Sequence, residues 1–364
     1  MSSSEYHGGT SMGGRQPLIG AIIAGALTTY GILAKRRAQQ HIAQASQGKA
    51  QDARGRNAAW PSEIPKRGWW DILMRVKDDI SEKNLSLVAA GVAFYAFLAI
   101  PSALTSLVSL YGLVFNPDDV QRQIHAAQGI LPGETINLIS DQLQNIASGS
   151  SAKLGIGFAV SLFLALWSAR AGTSSIIAAL NIVYGEPEKR NVIWFQVIAL
   201  SLTLGIVLFA VVALALIAIL PAIIDLLPLG SFGKTLTAII RWPVLVVLVM
   251  LALAGTYRFA PSREEPRWRW VSWGAALATV LWLIGSALFS IYVGQFAAYD
   301  KSYGSLGAVV VLLMWLYLSA FVVLIGAELN AEIEHQTARD STTGAHQPMG
   351  MRGARMADTT GARR

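Results

Sequence analysis

The sequence contains no cysteine. Disulfides, thiolate metal sites and cysteine nucleophiles are thereby excluded, although nothing follows about compartment. Charge is scarce: only 14% of 364 residues are Asp, Glu, Lys or Arg, against about 25% in an ordinary soluble domain. That deficit argues against a water-soluble enzyme. Histidines stand only at His7, His41, His125, His335 and His346, outside the apolar runs, and no two are spaced as metal ligands at i, i+3 or i+4. A Walker loop, a GxSxG elbow and an acidic cluster of the two-metal kind are also missing. The sequence therefore gives no reason to expect an enzyme, a metal or a cofactor.

What is present is long apolar runs. Leu85–Phe115, Asn191–Ile224, Trp270–Tyr299 and Ser302–Ala327 contain no formal charge, and each exceeds the roughly 20 residues that cross a bilayer as helix. Leu154–Gly185 and Thr235–Tyr257 are interrupted only by Arg170 and Arg241. The expected fold is all-α: a polytopic bundle with core spans at about 85–115, 154–183, 193–220, 236–258, 271–294 and 304–330.

The net charge of +7 matters less than its distribution. With 35–83 taken as cytoplasmic, the inner segments carry 22 Lys and Arg and the outer segments 5. The positive-inside rule then puts 35–83 and the C-terminus in the cytoplasm of a bacterial inner-membrane protein. Trp69, Trp70, Trp194, Trp268, Trp270 and Trp273 are expected at the inner interface, where indole rings meet headgroups. Residues 18–34 form a 17-residue apolar stretch ahead of Lys35, Arg36 and Arg37. Its length is at the lower limit for an extra span, and Gly20, Gly25 and Gly31 weaken its helix, so span and non-span both stay open. If it spans, 1–17 is extracytoplasmic.

Residues 35–66, with Pro61 and Pro65, read as a cytoplasmic tether, and 336–364, rich in Gly, Thr and Arg, as a disordered tail. Between tether and first span, 67–83 sets Trp69, Leu73, Val76 and Ile80 at helical spacing, the pattern of an amphipathic helix on the inner face. In 116–153, Ile136, Ile139, Leu143 and Ile146 follow Pro132-Gly133 and predict a short helical cap at the outer end.

Polar residues inside spans are expensive and therefore informative. Arg170 falls about 4 Å from the middle of its helix at 1.5 Å per residue, where an arginine costs about 2.5–3.5 kcal/mol on the insertion scale. Ser168 and Ser174 flank it, and together with Tyr95 and Thr279 they form the expected substrate-binding set. The same residues can equally be satisfied by bundle carbonyls and hydroxyls. Glu328 lies about 18 Å from its helix midpoint, too deep toward the cytoplasm to pair with Arg170. Asn84, Asn181, Glu328 and Asn330 are instead expected as a polar cluster at the inner mouth. Pro101 and Pro243 mark two kinks in helices three spans apart, a weak pointer to an inverted repeat.

Five stretches in order over about 270 residues carry a family resemblance. They are Ala89-Ala90-Gly91-Val92-Ala93-Phe94-Tyr95 with Pro101; Leu166-Trp167-Ser168-Ala169-Arg170; Ala179-Leu180-Asn181-Ile182-Val183-Tyr184; Tyr257-Arg258-Phe259-Ala260-Pro261; and Tyr303-Gly304-Ser305-Leu306-Gly307-Ala308 leading to Met314-Trp315-Leu316-Tyr317 and Gly326-Ala327-Glu328-Leu329-Asn330. The region 67–335 thus resembles the YihY/BrkB family of bacterial inner-membrane proteins, once labelled ribonuclease BN. The resemblance implies a six-helix core and an inner-membrane location. It leaves two readings of function: a secondary transporter, exporter or flippase-like factor for an anionic or amphipathic envelope compound, and a non-transporting scaffold for envelope biogenesis. The expected partners are membrane lipids and an anionic lipid or solute, with no nucleic acid.

Overall fold

The computed structural model describes residues 53–114, 154–219, 231–296 and 305–363. The chain divides into two units, Met1–Arg54 and Gly55–Arg364, and every element below belongs to the second. The expected N-terminal span at 18–34, the preceding 1–17 and the cap at 116–153 lie outside the described residues.

The elements are α1 (Lys66–Glu82), α2 (Leu85–Val114), α3 (Leu154–Tyr184), α4 (Val192–Leu214), α5 (Ser231–Phe259), α6 (Trp268–Phe296), α7 (Ser305–Gln336) and a single turn α8 (Arg355–Asp358), with a 3₁₀ turn at Pro61–Glu63 and a π-helical turn at Ala215–Ile219. Among the described residues six helices, α2 to α7, are long and apolar enough to cross a membrane, and the only pairing outside helices is an isolated bridge between Pro266 and Thr342. The protein is a helical membrane bundle. Its apolar side chains turn outward as lipid contact requires: Leu87, Leu251, Leu288 and Ile291 are all more than half exposed.

The helices start and stop where local chemistry directs. Asn84 takes a positive φ of 49°, a conformation asparagine tolerates better than most residues, and so breaks the helix between α1 and α2; Arg75, Lys83 and Ser86 meet Glu332, Glu328 and Tyr317 in turn, so both helices run in the same sense along α7. At the end of α3, Gly185 has φ 65°; its N–H donates to the Ile182 carbonyl and that of Glu186 to the Asn181 carbonyl, the paired bonds of a Schellman stop. The Asn191 side chain accepts from the Trp194 N–H at 2.8 Å and caps α4. Helices α2 and α5 run through Pro101 and Pro243 without interruption.

Helix α7 is the axis of the bundle. It packs on α1, α2, α3 and α6, while α2 lies along α3, and α5 along α6. Close approach depends on small residues. At Gly326 an added Cβ would lie 2.6 Å from the Gly274 carbonyl and 2.7 Å from both Ala278 and the Tyr257 hydroxyl. At Gly172 it would meet Ala99 at 3.3 Å. Ile177, Leu180, Tyr184, Tyr257 and Leu324 fill the core between these contacts.

Four expectations are corrected here. Residues 337–363 are not a disordered tail: Asp340, Ser341, Thr342, Arg352 and Met356 are buried, and the segment is folded over one end of the bundle. Its backbone is held by Arg267 N–H to the Ser341 carbonyl at 2.9 Å and Thr343 N–H to the Glu265 carbonyl at 2.9 Å. The described part of the presumed tether is likewise packed, with Arg56, Ala58 and Ile64 buried. In α1 the inward face contains Ile72 and Val76, not Leu73, which is exposed; packing on α7 rotates the apolar stripe by one position. Of the six tryptophans, Trp70, Trp194, Trp268 and Trp273 are exposed, Trp69 lies partly buried against the Trp273 ring, but Trp270 is 1% exposed and belongs to the core.

Candidate functional site

The segment 55–65, helix α1, the loop 185–191, the loop 260–267 and the segment 337–363 all meet at one end of the bundle, called the polar end below. Its chemistry grows from the last two turns of α7. Glu328, Glu332 and Gln336 repeat at i+4 on one face, Glu334 stands on another, and all four are buried. Burying carboxylates in this way is tolerable only with partners, and the surrounding elements supply them. Lys83 Nζ lies 2.7 Å and 3.0 Å from the two oxygens of Glu328, 2.9 Å from Asp79 and 2.7 Å from the Val183 carbonyl. One ammonium thus joins α1, α3 and α7. Burial pushes the Lys83 pKa down, but the carboxylates of Glu328 and Asp79 outweigh it and the net direction is up.

Arg75 forks across the next turn. It pairs with Glu332 and donates to the Gln336 amide oxygen at 2.8 Å, to the Glu332 carbonyl at 3.2 Å and to the Ala362 carbonyl at 3.0 Å. His335 lies 3.2 Å from the other Glu332 oxygen. Arg56 donates to the carbonyls of His335, Gln336 and Gly361, tying both flanking segments to the end of α7. On the opposite side Arg263 pairs with Glu334 at 2.7 Å, Ser341 donates to the same carboxylate, and the guanidinium lies 4.3 Å above the Tyr184 ring. Asp79, Glu328 and Glu332 place carboxylate oxygens within 4.8 Å of one another, a trio that spacing along the chain gave no hint of. Their positive complement comes from the chain itself: Lys83 sits between two of them and Arg75 holds the third.

The expected inner-mouth residues divide. Glu328 takes Lys83 as described. Asn330 accepts from the Gly274 N–H at 2.7 Å and donates to the Val271 carbonyl at 3.0 Å, stitching α7 to α6. Asn181 accepts from the Ser262 N–H at 2.8 Å and donates to Glu188 at 3.0 Å, stitching α3 to the loop after α5. Asn84 is exposed and serves the turn; its neighbour Lys83 enters the cluster in its place. Glu188 also binds Arg190, and that pairing, above all, draws its pKa down to about 2.

The expected substrate-binding set is spread over different surfaces. Arg170 packs its guanidinium 4.3 Å over the Trp167 ring of its own helix, and its Nε is buried with no hydrogen-bond acceptor among the described residues. The Ser174 hydroxyl is in the same condition, whereas Ser168 is exposed. Tyr95, half exposed on α2, has its carbonyl beside Gly172 across the α2–α3 contact. Thr279 lies on α6, donates to the Ala275 carbonyl of its own helix at 2.7 Å, and sits on the α5–α6–α7 side. Near Arg170 the bundle also forms a pair that spacing did not single out: the hydroxyls of Thr173 and Thr203 are 2.7 Å apart, both donating or sharing toward the Ala199 carbonyl.

Comparison with known proteins defines the class. The family described as virulence factor BrkB matches residues 76–350, about three quarters of the chain, and the protein belongs to that family. The chain is 31% identical over 250 residues to a ribonuclease-like protein, YfkH, of Bacillus subtilis strain 168, covering 67% of this chain and 88% of that one. A UPF0761 membrane protein of Idiomarina loihiensis is 29% identical over 226 residues, covering 60% and 74% respectively. One of Aliivibrio salmonicida is 28% identical over 275 residues, covering 72% and 83%. No solved structure matches. The match reaching residue 350 takes in much of the folded segment after α7, beyond the boundary at 335 read from sequence.

Proposed function

We propose that the protein moves an anionic or amphipathic envelope compound in the bacterial inner membrane, as a secondary transporter, exporter or flippase-like factor. The observation that carries this reading is Arg170. The guanidinium stands deep in a membrane helix, its Nε is buried without an acceptor among the described residues and it lies over the Trp167 ring, so that Nε–H is a donor open to an anion. The polar end, closed by Lys83, Arg75 and Arg263, then acts as the cytoplasmic gate of the same pathway. A scaffold is the second reading. It is favoured by Thr173, Thr203, Asn181 and Asn330, whose polar groups are all satisfied inside the bundle.

The test is substitution at Arg170. Arg170→Gln is expected to abolish complementation of a deletion strain's envelope phenotype at normal expression and near-normal melting temperature, and Arg170→Lys to retain part of it. Full complementation by Gln sinks the anion role and leaves the scaffold. A nuclease is not our reading, despite the name of one relative: among the described residues the converging carboxylates already hold Lys83 and Arg75, and His335 is itself paired with Glu332. RNA cleavage by the purified protein is expected at mock level with or without divalent metal. Activity that tracks the protein through successive columns and is lost with Glu328→Gln would reverse that assignment.

A further inference from the structure

A cavity of about 410 Å³ opens at the polar end, between the loops that follow α3 and α5. Four of its lining residues are basic, Lys189, Arg190, Arg258 and Arg263, and two are acidic, Glu264 and Glu265. Each basic group has an internal partner, but the partners do not exhaust the donors. Arg258 commits Nη1 to the Pro266 carbonyl and Nη2 to Glu265, both at 2.8 Å. Its Nε is buried without an acceptor among the described residues. Arg263 commits Nη1 to Glu334; its Nε and Nη2 are buried without acceptors, and its side chain is fully buried.

Both guanidiniums lie over aromatic rings, Arg258 at 4.8 Å from the Trp268 centroid and Arg263 at 4.3 Å from that of Tyr184. A ring satisfies the face of a guanidinium and not its in-plane N–H groups. Buried donors left unmade cost about 1–3 kcal/mol, and more for charged groups. Two under-satisfied guanidiniums among the residues lining one cavity therefore favour a ligand with several acceptor oxygens. Glu264 is the lining acid that would oppose it, and Glu264 is exposed.

We infer that this cavity binds a phosphate-bearing anion through Arg258 and Arg263, with Lys189 at its edge. A tetrahedral phosphate accepts from several directions, as two separately mounted forks require, whereas a planar carboxylate is saturated by one. The volume lies within the roughly 300–1,000 Å³ of small-molecule sites and exceeds what a bare anion needs. The remaining wall includes Ile198 of α4 and Phe259; Phe259 is itself 45% exposed, and Val197 and Trp194, also on α4, are 44% and 60% exposed. An apolar chain attached to the phosphate would lie along that surface. The phosphate of a lipid headgroup and that of a soluble ester share this chemistry, and binding here stands whether or not Arg170 takes part in transport.

The experiment uses the full chain in detergent micelles, read by Trp fluorescence and melting temperature. Trp268, in contact with Arg258, is a built-in reporter. Sodium phosphate, dioctanoyl phosphatidylglycerol and dioctanoyl phosphatidylcholine are titrated against sodium chloride of matched ionic strength. A saturable response to phosphatidylglycerol alone supports the site with a headgroup as source; one to inorganic phosphate supports it with a soluble source. In either case Arg258→Gln is expected to weaken apparent affinity at least tenfold, equivalent to about 1.4 kcal/mol. Should that variant misfold, Lys189→Ala, whose side chain is half exposed, is expected to weaken it about threefold. No saturable response, a response to phosphatidylcholine equal to that to phosphatidylglycerol, or equal affinity in wild type and the folded variants overturns the site.

Discussion

Lys83 and Gly326 show how single residues set the polar end. The Lys83 side chain is 19% exposed and that of its partner Glu328 is fully buried, so removing the ammonium alone strands a buried acid. Lys83→Met is expected to lower stability by about 3–5 kcal/mol, while Lys83→Met with Glu328→Leu recovers most of the loss, because both charges then leave together. Melting curves of the single and double variants decide this; strictly additive losses would show the pair is uncoupled. Gly326 works through the absence of a side chain. Gly326→Ala is expected to cost about 1–3 kcal/mol by forcing α6 from α7, since its Cβ would meet the Gly274 carbonyl, whereas at Gly205 nothing lies within 4 Å and Gly205→Ala should be neutral or slightly stabilising. Of this chemistry Glu328, Asn330 and Asn181 were legible in the sequence, because a polar group in an apolar run has to be explained. Lys83, Arg75 and Arg56 were not. A cation on an amphipathic helix or in a polar loop ordinarily reaches water, and nothing along the chain tells that α7 will meet it.

Among elements, the segment 337–363 departs most from its composition. Its Gly, Thr and Arg content reads as disorder because it offers little apolar area, yet it is fixed by hydrogen bonds. Asp340 accepts from the Thr342 N–H and hydroxyl and from the Gln347 N–H, and Arg352 donates to the carbonyls of Ala338, Gln347 and Ala357. Burial would raise the Asp340 pKa, but the bonds from Gln347 and Thr342 outweigh it and the carboxyl titrates below its ordinary 3.8. Glu188, from an ordinary 4.5, is likewise drawn down to about 2. For a depressed acid the stabilisation is complete above the ordinary pKa and is lost as pH falls through the folded one. Through Asp340, protease susceptibility of 337–363 is therefore expected to be flat from neutrality to about pH 3.8 and to rise as pH falls below that. Asp340→Ala should bring susceptibility at neutral pH, by about 1–3 kcal/mol of lost anchoring. An unchanged digestion pattern in the variant would show that Arg352 suffices alone.

For the whole molecule, the six-span architecture was open to sequence reading because lipid imposes it. Apolar runs longer than a bilayer, four without charge and two with a single arginine, have one use, and the described helices α2 to α7 coincide with them. Sidedness rests on the 22 to 5 asymmetry of Lys and Arg. Ser81 and Ala345 are exposed at the polar end, so single cysteines there are expected to resist a membrane-impermeant thiol reagent in intact cells and to react after lysis. Labelling of either in intact cells would invert the orientation. The strapping of α7 by residues on both sides of the bundle's sequence has a consequence for biogenesis. Arg75 and Arg56 emerge from the ribosome before any of the six core spans, but the carbonyls of Ala362 and Gly361 that they hold are synthesised after all six. At roughly 5–20 residues per second, the guanidiniums wait on the order of 15–60 s for those acceptors. During that interval the polar end is open and hydrated, so insertion of the helices precedes, and cannot depend on, the closure that completes the fold.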